Sequence, residues 1–307
     1  MGVSCVNKKM KQQNEYIAAK IAADCLSDMH LPASIKDTDI RAFITQNRPN
    51  YNEQDINECV MGCVVFKNYL KTRQAYLFHP LLVHELTQTT NLNFYMTDLH
   101  LPYNTLYIDL ASAHIHVDNR EIQGVYIHNI PEEKSCAIIA LVKINQEQVI
   151  LMYAAMDYSE QKTLNELAKT INGNYKNEDY LYHAIFSLLT YISSDEPDVV
   201  NAGKKIAFRY EKNHRKVPSV TNQWNVGYRY VQFYKQKLGH IPTIEELKES
   251  NKPVSHHHTP RKHLRAAHWH TYLYGPKKSL RKIIWVQACW VGNGDNIDTI
   301  HVEKEPH

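Results

Sequence analysis

The period of the hydrophobic pattern changes twice along this chain, and this feature constrains the fold more than any other. Before residue 93 apolar side chains recur at helical spacing, as Ile17, Ile21 and Cys25 do. Over residues 93–156 the period is two, and the residues are largely β-branched or aromatic, which is typical of strands. Helical spacing then returns up to residue 193. The pattern therefore predicts an α+β protein.

The helical parts of the pattern carry start and stop signals. Asn52 can cap a helix, and Asp55 three residues later can complete a capping box. Pro80 marks the end of that helix. The last helix is apolar or aromatic nearly all round, which predicts that it is buried against the sheet. Helices are expected at residues 14–29, 52–76, 81–89, 159–171 and 179–193.

The alternating part of the pattern predicts six strands joined by short connections. The polar breaks between them, such as residues 131–134 and 145–147, have the length and composition of hairpin loops. An antiparallel meander covered by helices is therefore expected rather than a parallel sheet. The strands are predicted at residues 94–96, 105–110, 113–117, 125–130, 136–144 and 149–156.

The net charge of +3 conceals two oppositely charged segments. Residues 1–200 contain 16 Lys and Arg against 24 Asp and Glu, a net charge of −8, whereas residues 201–307 contain 19 against 8, a net charge of +11. Either the basic segment faces a polyanion or an acidic partner, or the two segments dock on each other. We predict a helical and sheet domain at residues 1–198 and a basic C-terminal module, rich in His, Arg and aromatic residues, at 199–307.

The basic module is expected to end in a β-hairpin with strands at residues 268–274 and 281–291 and a turn at 275–279. No acidic residue lies between Glu249 and Asp295, while eight Lys and Arg do, and six histidines fall between His256 and His270. In a strand, His268, His270 and Tyr272 share one face and Trp269 lies on the other. Trp269 is therefore predicted to be a core residue.

Three chemistries fit the histidine block. Metal binding by imidazoles usually adds a carboxylate or thiolate, and the segment has no acid and no zinc-ligand spacing, so no metal or other cofactor is predicted. Acid–base cleavage of a phosphodiester would use His263, His268 and His270, with Arg265 stabilising the charge on the phosphate.

The third chemistry is binding alone, through a cationic surface with aromatic edges that engages RNA phosphates and stacks bases or captures an acidic peptide. A structural alternative is that Trp269 packs in the core and the histidines only surround it. The candidate binding residues are Arg261, Lys262, Arg265, Tyr272, Lys277, Lys278, Arg281 and Lys282.

Two stretches resemble the second family of type V-A anti-CRISPR proteins. One is Leu101-Pro102-Tyr103 with the residues that follow to Ala113, and the other is the block from Arg261 to Gly275, followed by Trp285 and Val291-Gly292-Asn293. The family's C-terminal block has the form Arg-x-His-x-Arg-x-x-His-Trp-His-x-Tyr-x-x-Gly. Every position of that form is matched, by Arg261, His263, Arg265, His268, Trp269, His270, Tyr272 and Gly275.

The resemblance implies a phage or mobile-element protein that lowers production of the type V-A Cas effector nuclease. It implies recognition of the effector's nascent N-terminal segment and loss of its messenger RNA, so the expected partners are that peptide and the messenger or translating ribosome. We expect an interaction protein rather than a ribonuclease. Without a predicted signal peptide or membrane span, it is expected in the cytoplasm of the bacterial host.

Overall fold

A computed structural model of the chain contains seven α-helices and twelve strands in its described part. The described residues are 18–32, 34–89, 92–143, 149–171, 178–210, 216–238, 240–241, 243–244, 246, 263–265, 267–286 and 289–291. Within these ranges no helix has the length and apolar character needed to cross a membrane. The predicted α+β class is confirmed.

The helices form where the sequence pattern places them, with two additions. The predicted capping box is present, since Asn52 Oδ1 accepts from the Asp55 N–H at 2.9 Å and the Asp55 carboxylate accepts from the Asn52 N–H at 3.2 Å. The helices at Ile40–Asn47 and Tyr228–Leu238 were not predicted. The helices are α1 (Ala18–Asp28), α2 (Ile40–Asn47), α3 (Glu53–Thr72), α4 (Pro80–Gln88), α5 (Leu164–Thr170), α6 (Glu178–Ser193) and α7 (Tyr228–Leu238).

The described strands form one large sheet and, near the C-terminus, two pairs of strands. They are β1 (Gln74–Phe78), β2 (Thr105–Asp109), β3 (His116–Val117), β4 (Arg120–Ile130), β5 (Ser135–Lys143), β6 (Val149–Asp157), β7 (Val199–Tyr210), β8 (Lys216–Val226), β9 (His263–Arg265), β10 (His268–Tyr274), β11 (Leu280–Val286) and β12 (Cys289–Val291). The large sheet has the order β6-β5-β4-β2-β1-β8-β7, and β3 pairs with β4. Its pairs are antiparallel except that β1 is parallel to both β2 and β8.

Strand β1 corrects the prediction of a helix extending to residue 76. The helix ends at Thr72, and Arg73 takes a left-handed conformation with φ of 55°. The next five residues enter the sheet between β2 and β8, where Tyr76 stacks on Trp224 and Gln74 Oε1 accepts from the Trp224 indole N–H at 2.8 Å. These contacts come from residues about 150 positions away in the sequence. The local hydrophobic pattern therefore does not predict them.

Two other segments differ from the sequence pattern. Residues 94–96 do not form a strand, and Tyr95 makes only an isolated bridge to Thr163. The pattern predicts no strand between residues 156 and 268, yet Val199–Tyr210 and Lys216–Val226 form β7 and β8 of the large sheet. The sheet thus continues past residue 198. The division of the chain at that residue stays a prediction.

The two faces of the sheet are covered by different helices. One face is covered by α1 and α3, and the ring of Tyr69 on α3 contacts the rings of Tyr107 and Tyr126 of the sheet, which also contact each other. On the other, the sheet shares a core with α4, α5, α6 and α7. Helix α6 is buried there as predicted, and Leu181, Ile185 and Phe186 have no exposed surface. Trp269 and Trp285 of the hairpin join this second core.

Candidate nucleic-acid interface

The predicted C-terminal hairpin is confirmed. Strands β10 and β11 pair antiparallel, with His268 opposite Val286 and Tyr274 opposite Leu280. Strands β9 and β12 pair antiparallel with each other as a separate two-stranded sheet, with Arg265 opposite Cys289 and His263 opposite Val291. The alternation of side chains along β10 and β11 gives this hairpin two chemically different faces.

The inner face of the hairpin is defined here by Trp269, Thr271, Arg281, Ile283 and Trp285. Trp269 and Trp285 are cross-strand partners with ring centroids 4.8 Å apart, and Phe94 packs edge-on against Trp269 at 6.1 Å. The two indoles are only 7% and 9% exposed. The prediction that Trp269 is a core residue is confirmed. Burial of these aromatic rings attaches the hairpin to the main core.

The outer face is defined by His268, His270, Tyr272 and Tyr274 with their cross-strand partners, which include Lys282. His270 and Tyr272 are exposed, and their rings touch edge-on with centroids 4.2 Å apart. His268 is half-buried on the same face. Tyr272 and Tyr274 are 49% and 50% exposed, so two phenol rings are available to stack on a flat ligand.

The turn of the hairpin presents two lysines in an unusual backbone conformation. Lys277 and Lys278 are exposed and have φ of 54° and 57°, while Gly275 has φ of 76°. A left-handed conformation costs a residue with a Cβ about 1–2 kcal/mol, and Gly or Asn would adopt it more easily. Backbone strain of this kind is common where a side chain has a role in binding.

The structure brings together most, not all, of the predicted site residues. Arg281 is exposed beside the turn lysines, whereas Lys282 forms an ion pair with Asp195. His263 and Arg265 lie on β9, opposite Val291 and Cys289 respectively, and their side chains lie outside the description. Arg261 and Lys262 lie outside the described residues.

A groove runs between the hairpin and the main body. The Asp195 N–H donates to the Ile283 carbonyl at 3.1 Å, which together with the Lys282 ion pair fixes β11 beside the end of α6. The groove has a volume of about 940 Å³, near the upper end of the roughly 300–1,000 Å³ of small-ligand pockets. It is lined by Asn93, Phe94, Thr97, Asp98, His100, Ser193, Ser194, Asp195, Thr271, Tyr274, Ser279, Leu280, Arg281, Lys282 and Ile283.

Sequence reasoning missed the wall of this groove that belongs to the main body. Asp98, His100 and Asp195 lie far from the hairpin in sequence, and none is part of a recognisable motif. The only signal was indirect: the stretch starting at Leu101, which carries half of the family resemblance, follows His100 directly. Leu101 and Tyr103 pack against the core that holds Trp269.

The described residues contain no group of three or more His, Cys, Asp or Glu side chains placed to hold a metal ion. The histidines of β10 are instead surrounded by a tyrosine and cross-strand aliphatic and lysine residues. Such an arrangement suits contacts with phosphates and bases, or proton transfer between imidazoles and a phosphodiester.

These observations define a class: an α+β protein with a mixed sheet between two helical layers and a basic, aromatic hairpin attached to one of its cores. The AcrVA2-like family, described as the anti-CRISPR type V subtype A2 family, matches residues 76–293, from β1 to just beyond β12. The chain belongs to this family of anti-CRISPR proteins.

A solved structure agrees with the family assignment in fold. The crystal structure of AcrVA2 matches with a TM-score of 0.52 at 16% sequence identity, over 89% of this chain and 92% of that chain. At this identity the likeness concerns the fold alone. No curated protein matches the chain in sequence.

Proposed function

We propose that this anti-CRISPR protein suppresses production of a type V-A Cas effector in the bacterial cytoplasm, and that its C-terminal hairpin binds RNA. The observation that carries the proposal is the exposed, cationic and aromatic hairpin, which has no acidic residue between Glu249 and Asp295. A protein that suppresses production of the effector would encounter the translated messenger RNA, which is a polyanion.

The hairpin offers both kinds of contact that single-stranded RNA requires. Lys277, Lys278 and Arg281 are exposed cations that can neutralise phosphates. Tyr272 and Tyr274 are half exposed and can stack on unpaired bases, an interaction worth about 1–3 kcal/mol per base. The groove beside β11 continues this surface towards the main body.

The proposal includes recognition of the effector's nascent N-terminal segment, followed by loss of its messenger RNA. Its support is the match of every position in the block from Arg261 to Gly275 and the family membership. The protein then acts as an adaptor that couples a peptide emerging from the ribosome to the transcript that encodes it.

A reporter that carries only the effector's N-terminal codons tests this proposal. Cells that contain the protein should produce less reporter protein and less reporter messenger than cells without it. A second reporter, shifted out of frame over those codons and restored afterwards, keeps nearly the same nucleotides but encodes another peptide, and it should escape repression. Equal repression of both reporters would contradict recognition of the peptide.

Variants of the hairpin connect the repression to the proposed surface. Lys277→Ala with Lys278→Ala should weaken repression because two phosphate contacts are lost. The matched control is Lys36→Ala with Lys169→Ala, which removes two exposed charges from outside the hairpin. Repression by the control should equal that of the wild type. Full repression by the hairpin variant would show that the hairpin lysines are not needed for repression.

A second candidate function is metal-independent RNA cleavage. The observation that favours it is the placement of His268 and His270 on one face of β10, beside Tyr272 and its cross-strand partner Lys282. Two imidazoles on one face can supply the base and the acid of a phosphodiester cleavage. Arg265 would then stabilise the charged transition state.

Cleavage by the purified protein separates the two candidates. The effector messenger is incubated with the protein and a chelator, without ribosomes. Cuts that disappear in His268→Gln and His270→Gln would identify a ribonuclease, because glutamine hydrogen-bonds but does not shuttle protons near neutral pH. An intact messenger, together with full repression by both variants in cells, would identify the adaptor.

A further inference from the structure

The large sheet ends in a long strand whose outer edge is open. Strand β7 has 12 residues and pairs with β8 on one side, and no strand in the described part of the chain pairs with its other side. Every second residue of such a strand directs its N–H and C=O away from the sheet. Natural edge strands are usually short or covered, because an open edge is a template for another strand.

Beyond a register shift between Asn201 and Gly203, the pairing of β7 with β8 is regular as far as Tyr210. Strand β1 reaches only Asn222 of β8, so residues 205–210 and 216–221 extend past it as a two-stranded ribbon. One side of this ribbon is covered by α1. Ala207, Ser219 and Thr221 are buried there, and Thr221 Oγ1 accepts from the Ala19 N–H at 3.3 Å.

The other side of the ribbon exposes large apolar side chains. Ile206 and Phe208 are 53% and 47% exposed, and their cross-strand partners are Val220 and Pro218. Adjacent exposed apolar residues on an edge strand indicate an interaction surface. The main core lies on this same side of the sheet but does not include them, because they lie on the ribbon beyond the end of β1.

Lysines flank this apolar pair. Lys204 lies on the same side as Ile206, and Lys216 places its Nζ 4.1 Å from the centroid of the Phe208 ring. Neither β7 nor β8 contains an acidic residue. On this side of the sheet, the apolar side chains of Ile206 and Phe208 therefore lie between Lys204 of β7 and Lys216 of β8. A second copy of β7 would add Lys and Arg side chains and no acidic residue to this edge, which disfavours pairing between identical edges.

We propose that the open edge of β7 binds an extended, acidic segment of another polypeptide as an additional strand. Main-chain hydrogen bonds along residues 204–210 hold the segment. Its alternate side chains set the specificity, with apolar residues over Ile206 and Phe208 and carboxylates beside Lys204 and Lys216. This surface is separate from the hairpin, so peptide binding here does not depend on RNA binding there.

A designed heptapeptide tests the proposal with the full-length protein. The peptide ESVSVSE, capped at both ends and fluorescently labelled, places two valines between two glutamates on one side of a strand. Its anisotropy should rise on titration with the protein, and the peptide KSVSVSK should bind at least about tenfold more weakly, because each reversed charge pair changes from attraction to repulsion. No binding of ESVSVSE, or equal binding of both peptides, would overturn the proposal.

Backbone methylation tests strand addition itself. An added strand uses one of its two edges, so N-methylation of either the odd or the even residues of ESVSVSE removes the hydrogen bonds, and the other methylated peptide keeps them. One methylated peptide should lose at least about tenfold in affinity and the other should bind nearly as the parent does. Equal affinities of the two methylated peptides would overturn the strand pairing.

Charge reversal locates the site. The variant with Lys204→Glu and Lys216→Glu should lose its affinity for ESVSVSE and gain affinity for KSVSVSK. The control with Lys36→Glu and Lys169→Glu, an equal change of charge elsewhere, should bind both peptides as the wild type does. An unchanged preference in the Lys204 and Lys216 variant would overturn the assignment. So would a concentration-dependent dimer in sedimentation that Ile206→Asp abolishes, because a second copy would then be the occupant.

Discussion

Trp269 separates the structural and the chemical sides of the hairpin. Its ring is buried against Trp285 and Phe94, while its neighbours His268 and His270 lie on the opposite face. The Nε1–H groups of both indoles have no hydrogen-bond acceptor among the described residues. Packing, not hydrogen bonding, is therefore what the Trp269 side chain contributes.

We expect Trp269→Ala to lower the free energy of unfolding by about 3–5 kcal/mol, because it empties a large buried site. Trp269→Phe should cost clearly less, since it keeps an aromatic ring and loses no hydrogen bond to a described residue. His270→Ala should stay within about 0.5 kcal/mol, as exposed substitutions usually do. Urea unfolding of the three variants measures these values. If His270→Ala lowered the free energy of unfolding as much as Trp269→Ala does, the role of His270 would be structural.

Glu85 is a half-buried carboxyl group that faces two phenols. It lies on α4 and accepts hydrogen bonds from the Tyr230 and Tyr234 hydroxyls of α7, the latter at 2.6 Å. Burial raises the pKa of Glu85 above its ordinary value, and the two hydroxyls counter this only in part. Burial also raises the pKa of both tyrosines, so they stay neutral donors.

This pKa gives the stability of the fold a pH dependence with a defined sign. The folded pKa of Glu85 is above that of the unfolded chain, so its contribution is complete below the unfolded value of about 4.3 and is lost as the pH rises through the folded pKa. Glu85→Gln does not ionise. The free energy of unfolding of the variant, relative to wild type, should therefore increase between about pH 4 and pH 7. Urea unfolding across this range measures it, and a constant difference would contradict the raised pKa.

At the scale of elements, the turn between β10 and β11 combines two opposed demands. Its backbone favours Gly or Asn at positions 277 and 278, yet both positions hold lysines with positive φ. A turn selected only for stability would use residues that adopt this conformation more easily. The lysines are expected there because of their charge.

Lys277→Asn with Lys278→Asn should separate stability from binding. Asparagine tolerates the left-handed conformation, so the melting temperature should be unchanged or higher. Affinity for single-stranded RNA should fall because two phosphate contacts are lost. Thermal unfolding and RNA titration of the same variant give both values. A lower melting temperature with unchanged RNA affinity would mean that the lysines stabilise the turn.

At the scale of the whole molecule, the charge is divided between a segment of −8 and one of +11. The two segments are not spatially separate, because β7 and β8 of the basic segment complete the sheet of the acidic one. Docking between the segments also uses part of the charge, as in the pairs of Lys282 with Asp195 and Arg229 with Asp198. Among the side chains that the structure describes, the positive charge of the hairpin that forms no ion pair belongs to Lys277, Lys278 and Arg281, at or beside the turn.

The salt dependence of RNA binding measures that remaining charge. Replacing Lys277, Lys278, Arg281 and Lys282 by Ala should reduce the slope of log K against log salt by about 2, because three exposed cations each release about 0.7 counterion from a single strand. Lys282 should add little, since Asp195 already neutralises it. The Lys36→Ala and Lys169→Ala variant should keep the wild-type slope. An unchanged slope in the hairpin variant would exclude phosphate contacts at this surface.

Local pattern was sufficient for the features that depend on neighbours in sequence. The alternation of His268, Trp269 and His270 predicted the two faces of β10, and the spacing of Asn52 and Asp55 predicted the capping box of α3. Both predictions are confirmed because side-chain direction in a strand, and hydrogen bonding at a helix start, follow from residues a few positions apart. The hairpin, with its turn at Gly275, was predictable for the same reason.

Tertiary structure alone decided what depends on distant partners. Gln74–Phe78 continues a helical pattern, yet it becomes β1 because β2 and β8 bury it from both sides. Asp195 and His100 belong to no motif, and the hairpin lies beside them through long-range contacts such as the packing of Trp269 against Phe94 and the ion pair of Lys282 with Asp195. By itself the sequence determined the class of the fold and the faces of the hairpin. The order of the strands and the walls of the groove depend on long-range burial, whose free energy is not encoded in any short stretch of chain.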